Sequence, residues 1–104
     1  MLATIHEKFI HTRRVRVLAA SIADLLPRNA RVLDIGCGDG RLALQIQALR
    51  PDIHIEGLDV FVRAKTLIPV TQFNGVQLPY PDHSWDVVLF VDVIHHAKIG
   101  RAHV

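Results

Sequence analysis

Val32-Leu33-Asp34-Ile35-Gly36-Cys37-Gly38-Asp39-Gly40 is the stretch of this 104-residue chain on which the fold turns. The run from Arg31 to Ile35 is short and apolar, which predicts a strand. Three glycines at every second position follow, and then Arg41-Leu42-Ala43-Leu44-Gln45-Ile46-Gln47-Ala48-Leu49. That segment is rich in good helix formers, with Leu42, Ile46 and Leu49 on one stripe. The order is strand, glycine loop, helix. Such a turn aims backbone N–H groups and the positive end of the helix dipole at one point, where an anionic or polar ligand group can sit. Glycine permits both the backbone angles and the close approach that this requires.

Downstream, Arg50-Pro51-Asp52 breaks the helix, and Ile53 to Val60 reads as a second strand with acidic Asp59 near its end. A parallel β-α-β unit is the economical interpretation. Upstream, Val15, Leu18, Ile22, Leu25 and Leu26 recur at helical spacing, with Arg13, Arg14, Arg16 and Asp24 mostly opposite. This predicts an amphipathic helix from Thr4 to Leu26, stopped by Pro27. Beyond the second strand, Phe61 to Pro69 fits neither pattern. Val70 to Phe73 suits a third short strand, and the loop Asn74 to Ser84 carries Gly75, Pro79 and Pro81. Within Trp85 to Val93, Val87-Val88-Leu89-Phe90-Val91 lacks polar alternation, which predicts a strand buried on both faces of a sheet.

The loop chemistry narrows the ligand. Asp59 falls at the C-terminal end of the second strand, where a carboxylate can accept both hydroxyls of a ribose. The dinucleotide fingerprint is G-x-G-x-x-G, whereas here Gly36-x-Gly38-x-Gly40 is followed by Arg41 where the third dinucleotide glycine would fall. Asp34 stands just before the glycines, where it would repel a pyrophosphate and attract an ammonium group. These features favour an adenosine-type ligand with an ammonium group over a nicotinamide dinucleotide.

Val32 to Gly40 resembles the first motif of class I S-adenosylmethionine-dependent methyltransferases, and Gly57-Leu58-Asp59-Val60 resembles their second. Gln77-Leu78-Pro79-Tyr80-Pro81-Asp82-His83-Ser84-Trp85-Asp86-Val87-Val88 is similar to the LPFPDNSFDVV stretch of the small-molecule members, and Asp92-Val93-Ile94-His95-His96 resembles the segment after their fourth strand. The resemblance implies a Rossmann-like α/β fold, a parallel sheet flanked by helices. The family's strand order is 3-2-1-4-5-7-6, and this sequence corresponds to a portion truncated after about the fourth strand. The chain is therefore expected to be a single partial domain, residues 1–104.

Carried over by position, the resemblance puts Asp34, Gly36 and Gly38 at the methionine end of S-adenosylmethionine and Gly40 at the opening of the helix, with Cys37 a small side chain within the cofactor-binding loop. Asp59 would meet the ribose, Val60 the adenine, and Asn74 with Gly75 the adenine edge. Asn74 departs from the family's usual aspartate; its side-chain carbonyl can still accept the bond from the adenine amine, so a weaker or reoriented adenine contact is expected, without loss of binding. Asp39 has an alternative role as a helix cap, and Val60 as core. Methyl transfer is an in-line displacement, which the protein assists mainly by alignment and exclusion of water, with a general base where the acceptor carries a proton. His95 and His96 are the candidates for that base or for orienting the acceptor, against a packing role.

Composition bounds the remaining possibilities. Half the residues are apolar and 21% are charged, as in a globular domain. The longest uncharged apolar stretch, Val87 to Val91, is far short of a membrane span, and Glu7, Arg13 and Arg14 interrupt any secretory pattern, so a cytoplasmic location is expected. Twelve Lys and Arg face ten Asp and Glu, and Lys98 and Arg101 alone make the excess, which argues against a nucleic-acid partner. The basic residues Lys8, Arg13, Arg14, Arg16, Arg28 and Arg31 could suit an anionic substrate or simply form a solvated face. The one cysteine, Cys37, has no disulfide partner, and adjacent His95 and His96 diverge, so no metal is expected. An apolar final strand would leave an open edge inviting self-association. The closing Lys98 to Val104 resembles translated sequencing-adapter DNA, so that tail is expected not to be native.

Overall fold

The computed structural model describes residues 2–91, with side chains from residue 13 onward. In chain order the elements are α1 (Leu2–Leu25), β1 (Arg31–Ile35), α2 (Arg41–Leu49), β2 (His54–Asp59), β3 (Val70–Gln72) and β4 (Val87–Leu89). The strands form one parallel sheet in the order β3-β2-β1-β4. This is the expected Rossmann-like arrangement, and β1 and α2 begin and end where the sequence pattern puts them.

β1 is interior, and its side chains alternate between two cores. Val32 joins Ile46, Ala43, Leu42 and Ile55 in the layer under the helices. Leu33 and Ile35 face the other way with Leu58, against Phe73, Tyr80 and Trp85. Burial on both faces explains why the strand reads as a nearly continuous apolar run. Asp34 interrupts it and is still only 3% exposed.

The inward face of α1 keeps Val15, Ile22 and Leu26 of the expected stripe, while Leu18 and Leu25 are exposed. Ala19, Ala23 and Leu26 are buried, Val15 and Ile22 pack beside them, but Leu25 is 82% exposed. α1 lies on α2, and a helix-on-helix contact favours small side chains that let the axes approach.

β4 also departs from expectation. Val88 and Phe90 are exposed, while Val87 and Leu89 pack toward the helical layer. β4 pairs with β1 on one side only, so among the described residues it is an edge strand covered on one face.

The connection from β2 to β3 contains no helix. Residues 60–69 cross as a loop, held by Leu67 N–H donating to Asp39 O at 2.7 Å, by Gly57 N–H donating to Pro69 O at 2.9 Å, and by burial of Ile68. A parallel crossover normally runs through a helix of a dozen or more residues. Here the short loop instead lies against the glycine turn.

The end of α1 is secured by one side chain. Arg50 donates to the carbonyls of Ala23 at 2.6 Å, Leu26 at 2.8 Å and Pro27 at 3.1 Å, satisfying groups a helix end leaves unpaired. It is paired with Asp52, which also accepts from the Asn29 backbone N–H at 2.8 Å. The Arg50 guanidinium, and then the Asn29 N–H, hold the Asp52 carboxyl below its ordinary value. A carboxyl depressed in the folded state adds stability above its unfolded pKa, and that stability is lost as pH falls through the folded value. Thermal melts should therefore drop below about pH 4, and Asp52→Asn should flatten that acid limb. Identical limbs for both proteins would contradict the role given to Asp52.

Candidate functional site

The loop after β1 is made of left-handed turns. Gly36, Gly38 and Gly40 have φ of 74°, 60° and 89°, angles that side-chain-bearing residues rarely adopt. Gly36 N–H donates to Leu58 O at 2.7 Å, fastening the loop to β2. Gly38 N–H donates to Asp59 Oδ2 at 2.9 Å, and Val60 N–H to Asp59 Oδ1 at 2.8 Å. The carboxylate at the end of β2 thus braces the glycine loop directly. Each of its oxygens keeps further acceptor capacity, and the side chain is half-buried, open to a hydroxyl-bearing ligand.

Beneath the loop, Asp34 is buried and engaged within the protein. Cys37 is buried, and burial, followed by the charges of Asp34 and Asp59, pushes its thiol up to about 12. It is a neutral side chain at physiological pH, not a nucleophile. Its Sγ fills the space in front of Gly57, where an added Cβ would meet it at 2.3 Å. Asp39 Oδ1 accepts from Arg41 N–H at 3.0 Å, while Gly40 occupies the cap position of α2.

At the other side of Asp59 the structure gathers Val60, Asn74 and Gly75. Val60 is 53% exposed, and a Cβ on Gly75 would come within 3.1 Å of its Cγ1. Val60 is thus a rim residue and not core. Asn74 Oδ1 accepts from the N–H groups of Val76 at 2.8 Å and Gln77 at 2.9 Å. The oxygen expected to receive the adenine amine is already committed to the loop, and the side chain has only its NH2 donors left for a ligand.

Sequence reading passed over one site residue. Arg63, in the stretch that fitted neither pattern, lays its guanidinium against Gly38, with Nη2 3.2 Å from where a Cβ would stand. It lines a cleft of about 250 Å3 together with Val15 and Leu18 of α1, Cys37 of the loop and Arg41 of α2. The available signal was an arginine a few residues beyond the strand-end Asp59. His95 and His96 lie outside the described residues.

Comparison with known proteins agrees with this geometry. Residues 9–99 match the family model described as a methyltransferase domain. A tRNA (carboxymethyluridine(34)-5-O)-methyltransferase of Schizosaccharomyces pombe is 33% identical over 75 residues, 68% of this chain and 31% of the relative. A 27-O-demethylrifamycin SV methyltransferase of Amycolatopsis mediterranei is 30% identical over 102 residues, 84% of this chain and 37% of the relative. An O-methyltransferase of Aspergillus nomiae is 31% identical over 87 residues, 71% of this chain and 38% of the relative. The chain spans about a third of the length of these curated relatives. With a parallel 3-2-1-4 sheet, a three-glycine turn braced by a strand-end aspartate, and a family match over most of its length, the chain belongs to the methyltransferase-domain family.

Proposed function

We propose that residues 1–104 are one partial domain, the donor-binding portion of an S-adenosylmethionine-dependent methyltransferase that acts on a small-molecule acceptor. The observation that carries this reading is the bond from Gly38 N–H to Asp59 Oδ2, which couples a ribose-competent carboxylate to a glycine loop. When bound, S-adenosylmethionine supplies a methyl group activated on a sulfonium. Asp59 would hold its ribose, the loop from Gly36 to Gly38 its methionine end above the buried charge of Asp34, and the Val60, Asn74 and Gly75 rim its adenine. Gly40 opens α2, and Cys37 contributes shape.

The chain's contribution is alignment and exclusion of water. Should the acceptor lose a proton, His95 or His96 is the proposed base. The rifamycin relative's name supports a small-molecule acceptor. The Schizosaccharomyces pombe relative acts on tRNA. Exposed Arg13, Arg14 and Arg16 on α1 suit that second acceptor, and strongly salt-dependent tRNA binding would favour it. A second reading is a donor-binding module without catalysis of its own. Among the described residues no helix is long and apolar enough to cross a membrane.

Calorimetric titration with S-adenosylhomocysteine tests the donor site. The chain should bind it saturably, and Asp59→Ala should weaken binding about 10- to 100-fold, the loss of charged hydrogen bonds to a diol. Tighter binding of a nicotinamide dinucleotide, or no binding by a folded chain, would refute the reading.

A further inference from the structure

We infer that Arg63 is the clamp for the methionine carboxylate of the donor, an inference that rests on the donor reading above. The cleft beside the glycine loop holds two guanidiniums, Arg63 and Arg41, and one carboxylate, Asp39. Arg41 is already paired with Asp39, Nη2 to Oδ2 at 3.8 Å. Arg63 makes no ion pair or hydrogen bond among the described residues. Its planar fork is nevertheless positioned, because it lies flat against Gly38 with Nη2, Cζ and Nη1 at 3.2, 3.4 and 3.8 Å from the place of a Cβ. A Cβ on Gly38 would crowd it, and the φ of 60° disfavours any side chain at this position.

Among the described residues the cleft therefore carries one positive charge, Arg63, with no protein partner, and an anionic ligand group can supply that partner. Arg63 sits on the glycine that donates its N–H to Asp59, so a ligand whose ribose meets Asp59 has its amino-acid end within the same turn. An α-carboxylate is the anion such a ligand brings, and a guanidinium receives it as a bidentate, charge-assisted pair. The apolar wall of Val15 and Leu18 excludes water from one side of that pair and strengthens it. Asp34, buried and engaged within the protein, precedes the same loop.

The loop that carries Arg63 is held for the purpose. Leu67 N–H donates to Asp39 O, and buried Ile68 packs over Gly40, so the short crossover is fixed to the glycine turn from both sides.

The test is a two-by-two titration on the 104-residue chain, with S-adenosylhomocysteine and its decarboxylated analogue against wild type and Arg63→Gln. Wild type should prefer the carboxylate-bearing ligand about 10- to 100-fold. Arg63→Gln should lose that preference while holding the decarboxylated ligand within about twofold, and Arg63→Lys should recover part of it. A variant that weakens both ligands equally, or keeps the preference, overturns the clamp while the donor reading stands. Wild type that binds neither ligand overturns the donor reading, and the clamp with it. Matching thermal melts for the three proteins establish that the comparison is of folded chains.

Discussion

A chain carrying Gly57→Val is expected to be largely unfolded at room temperature. Gly57 is in the interior strand β2, paired with Asp34 on β1 and Val70 on β3. A Cβ there would stand 2.3 Å from Cys37 Sγ and 3.1 Å from both Cys37 Cβ and Val70 Cγ2. Neighbours on both sides are buried or in a sheet, so nothing nearby can swing into solvent. Overpacking by a single methylene typically costs about 1–3 kcal/mol, and valine adds a branched side chain. A loss of about 3 kcal/mol or more is a large part of what so small a domain possesses. Circular dichroism melting and denaturant titration read the result directly. The milder Gly57→Ala, combined with Cys37→Ala, isolates the cause, since removing Sγ takes away the shortest contact. The pair should be coupled by about 1–2 kcal/mol, and strict additivity would show that the clash lies elsewhere.

Gly40→Ala should cost about 2–4 kcal/mol and also disturb ligand binding. Gly40 has φ 89° and ψ 14°, and a left-handed backbone angle costs an alanine roughly 1–2 kcal/mol. Its Cβ would meet Ile68 Cγ1 at 2.5 Å, with Ile68 Cδ1 at 3.3 Å and the Ile68 backbone N at 3.4 Å behind it. Ile68 is buried and belongs to the crossover that carries Arg63, so the strain transfers to the cleft. Denaturation midpoints should fall, and S-adenosylhomocysteine affinity should fall with them under conditions where the chain remains folded. An unchanged midpoint would mean that the crossover yields freely, and the fixed placement of Arg63 would then lose its support.

The two substitutions mark the boundary between what local sequence dictates and what packing decides. The turn from Val32 to Gly40 was legible because its determinants are local. An apolar run makes a strand, alternating glycines make a left-handed loop, and helix formers with a 3.6-residue stripe make α2. Asp59 was legible for the same reason, standing at the end of a strand whose pattern announces itself.

Contacts between segments far apart in sequence decided the remainder. The exact set of inward residues on α1 was decided by its packing on α2, which added Ala19 and Ala23 to Val15, Ile22 and Leu26 and left Leu25 outside although its spacing fits a core position. Val88 is exposed because, among the described residues, nothing packs on its face of β4, a matter of tertiary contacts and not of residue type. Asn74 looked like a ligand acceptor by position, but the N–H groups of Val76 and Gln77 claim its oxygen once the loop closes. Arg63 belongs to a segment with no periodicity, and only the anchoring of Leu67 to Asp39 and of Ile68 over Gly40 brings it to Gly38. The sequence by itself therefore determined the strand, loop and helix that can face a ligand, because backbone angles and side-chain periodicity act within a few residues. Tertiary structure alone decided which charges line the cleft, because their positions depend on hydrogen bonds and van der Waals contacts that exist only after the chain has closed on itself.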